Sequence, residues 1–173
     1  MRKIVLTFGL IAGAVMSGML VLTLPFQDQL DSSTGVIIGY TSMVLASLMI
    51  YFGVRQYRDN VCDGRIQFGQ AFKAGLAISA VAVACYVVTW EVVFNAFLPD
   101  FGEKYLAETL ERARAAGATA AELAEKAAEG EKFWAMYKSN PLVRIGFTIL
   151  EPLPVVLLFS LGTAGLLKRK QQA

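Results

Sequence analysis

Glu151 is the residue best placed to do chemistry in this chain. It interrupts an apolar run from Leu142 to Leu167, where Arg144 is the other charge and the local sequence reads Glu151-Pro152-Leu153-Pro154. A carboxylate at bilayer depth is expensive and marks a functional position by default. Pro152 and Pro154 supply no backbone N–H, so carbonyls one turn earlier, near Thr148 and Leu150, can be left without a donor. A carboxylate beside free carbonyls could bind a cation or carry a proton. A structural reading competes with this one. Leu142 to Leu150 could lie at the interface as an amphipathic segment, with Glu151 marking the start of a membrane helix at Pro152. Proline suits a first helical position and an acid suits a helix N-terminus. The remainder to Leu167 would then be about 24 Å long, short for a crossing.

Four other polar residues are candidate functional positions: Arg144, Glu91, Gln70 and Lys73. Arg144 precedes Glu151 by two helical turns, on the same face but about 10 Å along an axis, so the two could pair only if the prolines bend the segment or both side chains reach. Arg144 is expected either to reach the outer surface with its long stem or to meet Glu91, which follows Trp90 at the end of an earlier apolar run. Gln70 and Lys73 lie in the entry Phe68-Gly69-Gln70-Ala71-Phe72-Lys73. Gln70 could bond across helices, and Lys73 with Arg65 would sit near anionic headgroups. A cytosolic partner site is the alternative for this entry.

The remaining chemistry is bounded by what is missing. With no histidine, Ser-His-Asp and Cys-His catalysis and His-ligated zinc are excluded. Two cysteines are too few for a thiolate zinc site or a disulfide framework. No glycine-rich phosphate loop, metal-spaced acidic cluster or nucleophile–base pair is found, so no catalytic residue, cofactor or metal is expected. Asp59 and Asp63, in a polar loop from Arg55 to Arg65 with turn chemistry at Asp63-Gly64, are expected to be neutralised by nearby arginines. The net charge of +2 is too balanced for nucleic-acid binding.

The elements that must hold these residues follow from the hydropathy. The 173-residue chain is 55% apolar and 17% charged, far from the roughly 25% charge of a soluble domain. Four uncharged or nearly uncharged runs predict membrane helices at about 4–24, 35–54, 68–97 and 142–167. The fold class is therefore an all-α membrane protein forming a single domain. A secretory signal peptide is the minor alternative for the first run, which is long for a signal core and lacks a cleavage site. Pro25 ends that run before a polar turn at Gln27, Asp28 and Asp31. Between the third and fourth runs, residues 100–140 predict a helical hairpin outside the hydrocarbon. Phe101, Tyr105, Leu106 and Leu110 recur at helical spacing, Gly117 fits a helix stop, and Thr119-Ala120-Ala121-Glu122 has the capping-box pattern. The hairpin is rich in alanine and short of apolar surface, so it should lean on the membrane, the other helices or a partner. Phe133, Trp134 and Tyr137 read as an aromatic belt, or else as a ligand groove.

Gly9, Gly13 and Ser17 form a small-residue row, as do Ala14 with Gly18 and Ala71 with Gly75. Such rows let helix backbones approach closely. Packing within one chain is preferred over a homodimer seam. Gly162 and Gly165 are expected to pack in the last crossing.

Charge sets the orientation. Arg2, Lys3, Arg55, Arg58, Arg65, Lys73, Lys168, Arg169 and Lys170 would share one side with only Asp59 and Asp63. The hairpin from Asp100 to Lys138 carries eight acids and six bases. By the positive-inside rule both termini are cytoplasmic and the hairpin is extracytoplasmic. Cys62 and Cys85 should then stay free thiols.

The order of these features resembles a bacterial membrane family known as domain of unknown function 4199. Its marks here are the Phe68–Lys73 entry, Gly117 with the capping box, and Glu151-Pro152 with Pro154 before a basic end. The resemblance spans essentially the whole chain and implies an inner-membrane protein of unassigned role. It supplies no active site, substrate or cofactor. The expected role is association with lipid, with a membrane-protein partner or with a second copy, and not catalysis. The alternative is a proton- or cation-coupled transporter or channel component using Glu151.

Overall fold

The computed structural model describes residues 1–26 and 32–168, and among them every regular element is helical. The predicted polar turn at Gln27, Asp28 and Asp31 lies outside the described residues, as do Arg169 and Lys170. The first helix, α1, runs from Arg2 to Thr23 and tightens into a short 3-10 turn, Leu24–Phe26, at Pro25. Next, α2 covers Ser32–Val61 and α3 covers Phe68–Phe97. The hairpin helices are α4, Phe101–Ala115, and α5, Ala120–Ser139. The last apolar run is two helices, α6 at Pro141–Leu150 and α7 at Leu153–Leu167. Among the described residues, four stretches are long and apolar enough to cross a membrane: Arg2–Phe26, Ser33–Val61, Phe68–Phe97 and Pro141–Leu167.

Two boundaries differ from the sequence expectation. The second helix does not stop at Val54 but continues to Val61. Its final turns are polar, yet Arg55 and Asp59 stand four apart and pair at 3.8 Å, a spacing that supports helix. Asp59 is therefore helical, not in a loop, and it also accepts from Arg58 Nε at 2.6 Å. The turn comes where the residues demand it, with Asp63 at φ +48° and Gly64 at φ +75°. The last run, expected as one crossing over 142–167 with a fresh helix start at Pro152 as its structural alternative, divides at Glu151-Pro152. Prolines at 152 and 154 remove two ladder donors and their rings crowd the preceding turn. The helix restarts with Pro152 as its cap and Pro154 in its first turn.

The chain divides into two compact units, residues 1–90 with 149–173, and residues 91–148. In the first, two apolar clusters order the helices. One joins Ile50 and Val54 of α2, Ala71, Ala74 and Ile78 of α3, and Val156, Ala164 and Leu167 of α7, with Val5 and Phe8 of α1 against it. The other joins Ala12 and Met16 of α1, Met43 and Ala46 of α2, and Ala82 and Tyr86 of α3. Outward faces carry large apolar side chains such as Leu22, Ile37, Val88, Leu158 and Leu166. A soluble protein would not show so much exposed apolar surface, whereas a lipid-facing one must.

Small residues set the closest approaches in this unit. A Cβ at Gly9 would stand 2.6 Å from Val81 Cβ, and one at Gly13 would stand 2.7 Å from Cys85 Cβ. One turn further, Thr89 Oγ1 lies 2.9 Å from Ser17 Oγ. The whole Gly9, Gly13, Ser17 row thus seats on α3 of the same chain. Ala71 is fully buried, and Gly75 faces Ser160 and Ile50. The parallel row behaves differently, since Ala14 is exposed and Gly18 faces open space. Gly162 and Gly165 also face open space, which corrects the expectation that they pack within the last crossing.

The second unit is the hairpin with its foot. α4 closes with Gly117 at φ +90°, and the Ala118 and Gly117 N–H groups donate back to the Ala113 and Arg114 carbonyls. These two bonds satisfy carbonyls that the helix end leaves over, and glycine is the residue that takes the required backbone angle at no cost. α5 opens with a full capping box: Thr119 Oγ1 accepts from Glu122 N, and Glu122 Oε2 accepts from Thr119 N at 2.7 Å. Those hydrogen bonds hold the Glu122 carboxyl below the usual carboxylate range. Gly102 brings α4 against the Trp134 ring, and Gly130 brings α5 against Leu106.

Candidate functional site

At the foot of the hairpin the polar and aromatic residues converge. Asn140 caps α6 through its side-chain oxygen, which accepts from Leu142 N at 3.0 Å, and Pro141 takes the first helical position, where no N–H is needed. That start fixes the turn on which Arg144 sits. Arg144 is 2% exposed, so it does not snorkel to the surface. Its Nε donates to Glu91 Oε1 at 2.7 Å and its Nη2 to Glu91 Oε2 at 2.5 Å, a two-pronged pair. Nη1 donates to the Tyr137 carbonyl at 3.3 Å, and the guanidinium lies 4.6 Å above the Phe94 ring. Each of the three guanidinium nitrogens thus has an acceptor, which is what a buried charge requires. Thr148, also buried, donates to the Arg144 carbonyl at 2.8 Å.

Aromatic rings surround this pair. Phe94 and Tyr137 meet edge to face at 5.4 Å, and Phe133 meets Phe147 the same way at 5.1 Å. Trp134 contacts Phe101, Tyr105, Phe133 and Tyr137. Phe133, Trp134 and Tyr137 therefore supply the hairpin's own core, and Tyr137 is buried. Lys138 Nζ adds a bond to the Pro99 carbonyl at 3.3 Å. The sequence reading missed Phe94 and Phe147. Their spacing of three from Glu91 and from Arg144 was the available signal, since such residues share a helix face.

Glu151 belongs to the other unit and takes a different partner. Tyr86 Oη donates to Glu151 Oε2 at 3.2 Å. Tyr86 is itself buried in the α1–α2–α3 cluster, so the phenol reaches the carboxylate from an apolar wall. Gln70 does not bond across helices. Its Oε1 accepts from Gln67 N at 3.3 Å, capping the start of its own helix. Lys73 is exposed. Cys62 and Cys85 are free thiols. Among the described residues no group of three or more His, Cys, Asp or Glu is placed to hold a metal ion.

A family model described as "Protein of unknown function (DUF4199)" matches residues 7–169. The chain belongs to that family. Neither the curated proteins nor the solved structures compared with this DUF4199 chain gave a match. The matched range takes in both units of the DUF4199 fold, from α1 to the end of α7.

Proposed function

We infer that this DUF4199 protein acts by association. From the inner membrane of a bacterium, with both termini cytoplasmic, it presents the α4–α5 hairpin on the extracytoplasmic side to a protein partner. The observation that carries this reading is the state of Arg144. Each of its three nitrogens donates to Glu91 or the Tyr137 carbonyl, and its face is covered by Phe94. A cation so enclosed is a clamp for the hairpin foot and is not offered to a substrate. Beyond the clamp, α4 and α5 expose Tyr105 and Met136 among charged residues and alanines, and aromatic and Met side chains are the kinds enriched where proteins meet. Association also fits a chain whose sequence lacks histidine and any paired carboxylates at one depth.

The test is site-specific photo-crosslinking in native membranes, with the probe at Ala107, Glu111, Ala121 or Glu125 and, as control, at the lipid-type face of Leu22 or Ile37. The expected result is a discrete protein adduct from hairpin positions that the control positions do not give. No adduct from any hairpin position overturns the reading. Labelling of Ala116→Cys by a membrane-impermeant maleimide applied from outside checks the side on which the hairpin lies.

One observation favours a second reading, proton or cation movement through Glu151. The Tyr86 phenol is bonded to a carboxylate at a proline break in an apolar segment. Proteoliposome flux separates the two readings. Flux in the wild type that Glu151→Gln abolishes with the fold intact supports transport. No flux from either protein supports association.

A further inference from the structure

Within the first unit, the end that gathers the helix termini is strongly basic. Val5, Tyr57, Cys62, Ile66, Phe72 and Leu167 all belong to one apolar cluster, although they come from α1, α2, the turn after it, α3 and α7. Each is adjacent or nearly adjacent in sequence to a cation, so the cluster draws the cations to the same end. The acids there are Asp59 and Asp63. Asp59 is taken up by Arg58 at 2.6 Å and Arg55 at 3.8 Å. Arg65, Lys73 and Lys168 are exposed and make no ion pair with a described residue. Between Arg65 and Lys73 in sequence, Phe68 and Phe72 stack at 6.2 Å with an interplanar angle of 11°, and Lys168 Nζ sits 5.7 Å from the Phe68 centroid. At the other end of this unit the charged residue among those described is Glu151.

We propose that Arg65, Lys73 and Lys168, with the exposed Phe68 ring beside them, form a binding site for the headgroup of an anionic phospholipid. The cations stand at the ends of apolar helices, the depth at which phosphodiester headgroups lie. Phe68 is 41% exposed and offers an apolar neighbour to the glycerol and upper acyl region. A phosphate free in solution would satisfy the cations but would gain nothing from the ring.

The experiment uses the full chain in a neutral detergent, titrated with dioctanoyl phosphatidylglycerol or dioctanoyl phosphatidylcholine, with bound lipids counted by native mass spectrometry. The expected result is tighter retention of the glycerol lipid. The preference falls by about fivefold for each cation neutralised, and is lost in Arg65→Gln, Lys73→Gln, Lys168→Gln. The charge-keeping set Arg65→Lys, Lys73→Arg, Lys168→Arg retains it, as does Lys126→Gln, Lys132→Gln on α5. Equal affinity for the two lipids overturns the proposal. So does loss of preference in the charge-keeping set, or an equal loss in the α5 variant, which would mark a response to net charge alone. Displacement of the glycerol lipid by inorganic phosphate at equal concentration also overturns it, by reassigning the cations to a free anion.

Discussion

Arg144 and Glu91, 53 residues apart in the chain, meet through two parallel N–H···O contacts of 2.7 and 2.5 Å. The arginine side chain is 3% exposed and the carboxylate 23%. Removing Glu91 strands the guanidinium in a dry, aromatic surrounding, and removing Arg144 leaves the partly exposed carboxylate without its cation. Arg144→Ala and Glu91→Ala are each expected to cost about 3 kcal/mol in thermal unfolding. Arg144→Lys, which keeps the charge but loses the fork, should recover only part of this. Reversal at either site alone should destabilise, and Arg144→Glu with Glu91→Arg together should regain stability. A double variant no better than its parents would dissolve the pairwise account.

The glycines divide into two classes with opposite expected signs. Gly9→Ala and Gly13→Ala force a Cβ to within 2.6 and 2.7 Å of α3 side chains. Overpacking of this kind costs about 1–3 kcal/mol. Gly162→Ala and Gly165→Ala meet nothing within 4 Å and fall inside a helix, so they should stabilise by about 0.5 kcal/mol or more. Unfolding in detergent reads both classes. Destabilisation by the second pair would point instead to a contact with a second copy at that face.

The capping box makes the start of α5 sensitive to acid. The folded Glu122 carboxyl lies below its unfolded value, so its contribution is present above about pH 4.3 and is lost as pH falls through the lower folded value. Hydrogen exchange at the first turn of α5 should quicken in that range. In Thr119→Ala the turn should already exchange faster at neutral pH, and its acid dependence should shrink.

Tyr86 and Glu151 give a contrast between stability and use. Tyr86→Phe removes the phenol donor and should cost about 1 kcal/mol. Glu151→Gln keeps an acceptor for that phenol while removing a charge from an apolar segment, and should be neutral or stabilising. A loss above about 1 kcal/mol in Glu151→Gln would make Glu151 a structural residue.

How much of this could be read from residue types is uneven, and for physical reasons. The four apolar runs, the hairpin and both of its caps follow from local rules, because hydropathy, Gly117 and the Thr119–Glu122 spacing act within a turn or two. The continuation of α2 through Arg55 and Asp59 was obscured by polarity, which marks exposure to water and not the end of a helix. The prolines announced a break at Glu151 without deciding between a distorted crossing and a fresh start. The Arg144–Glu91 contact was open as one of two partnerships because both are charges of suitable reach. Nothing local says that Glu151 turns to Tyr86, that Trp134 faces Phe101 and Tyr105, or that Phe133 faces Phe147, since those choices depend on which helix faces lie opposite.

The enclosed arginine also constrains how the chain is made. During synthesis Glu91 leaves the ribosome 53 residues ahead of Arg144. A nascent helix bearing an arginine is penalised by about 2.5 kcal/mol at the bilayer centre, and by less toward its end. The penalty falls when the carboxylate, already in place, receives the incoming guanidinium. The last apolar segment is thus the one whose entry depends on an earlier segment having arrived, and the hairpin between them is the tether that brings the two charges together.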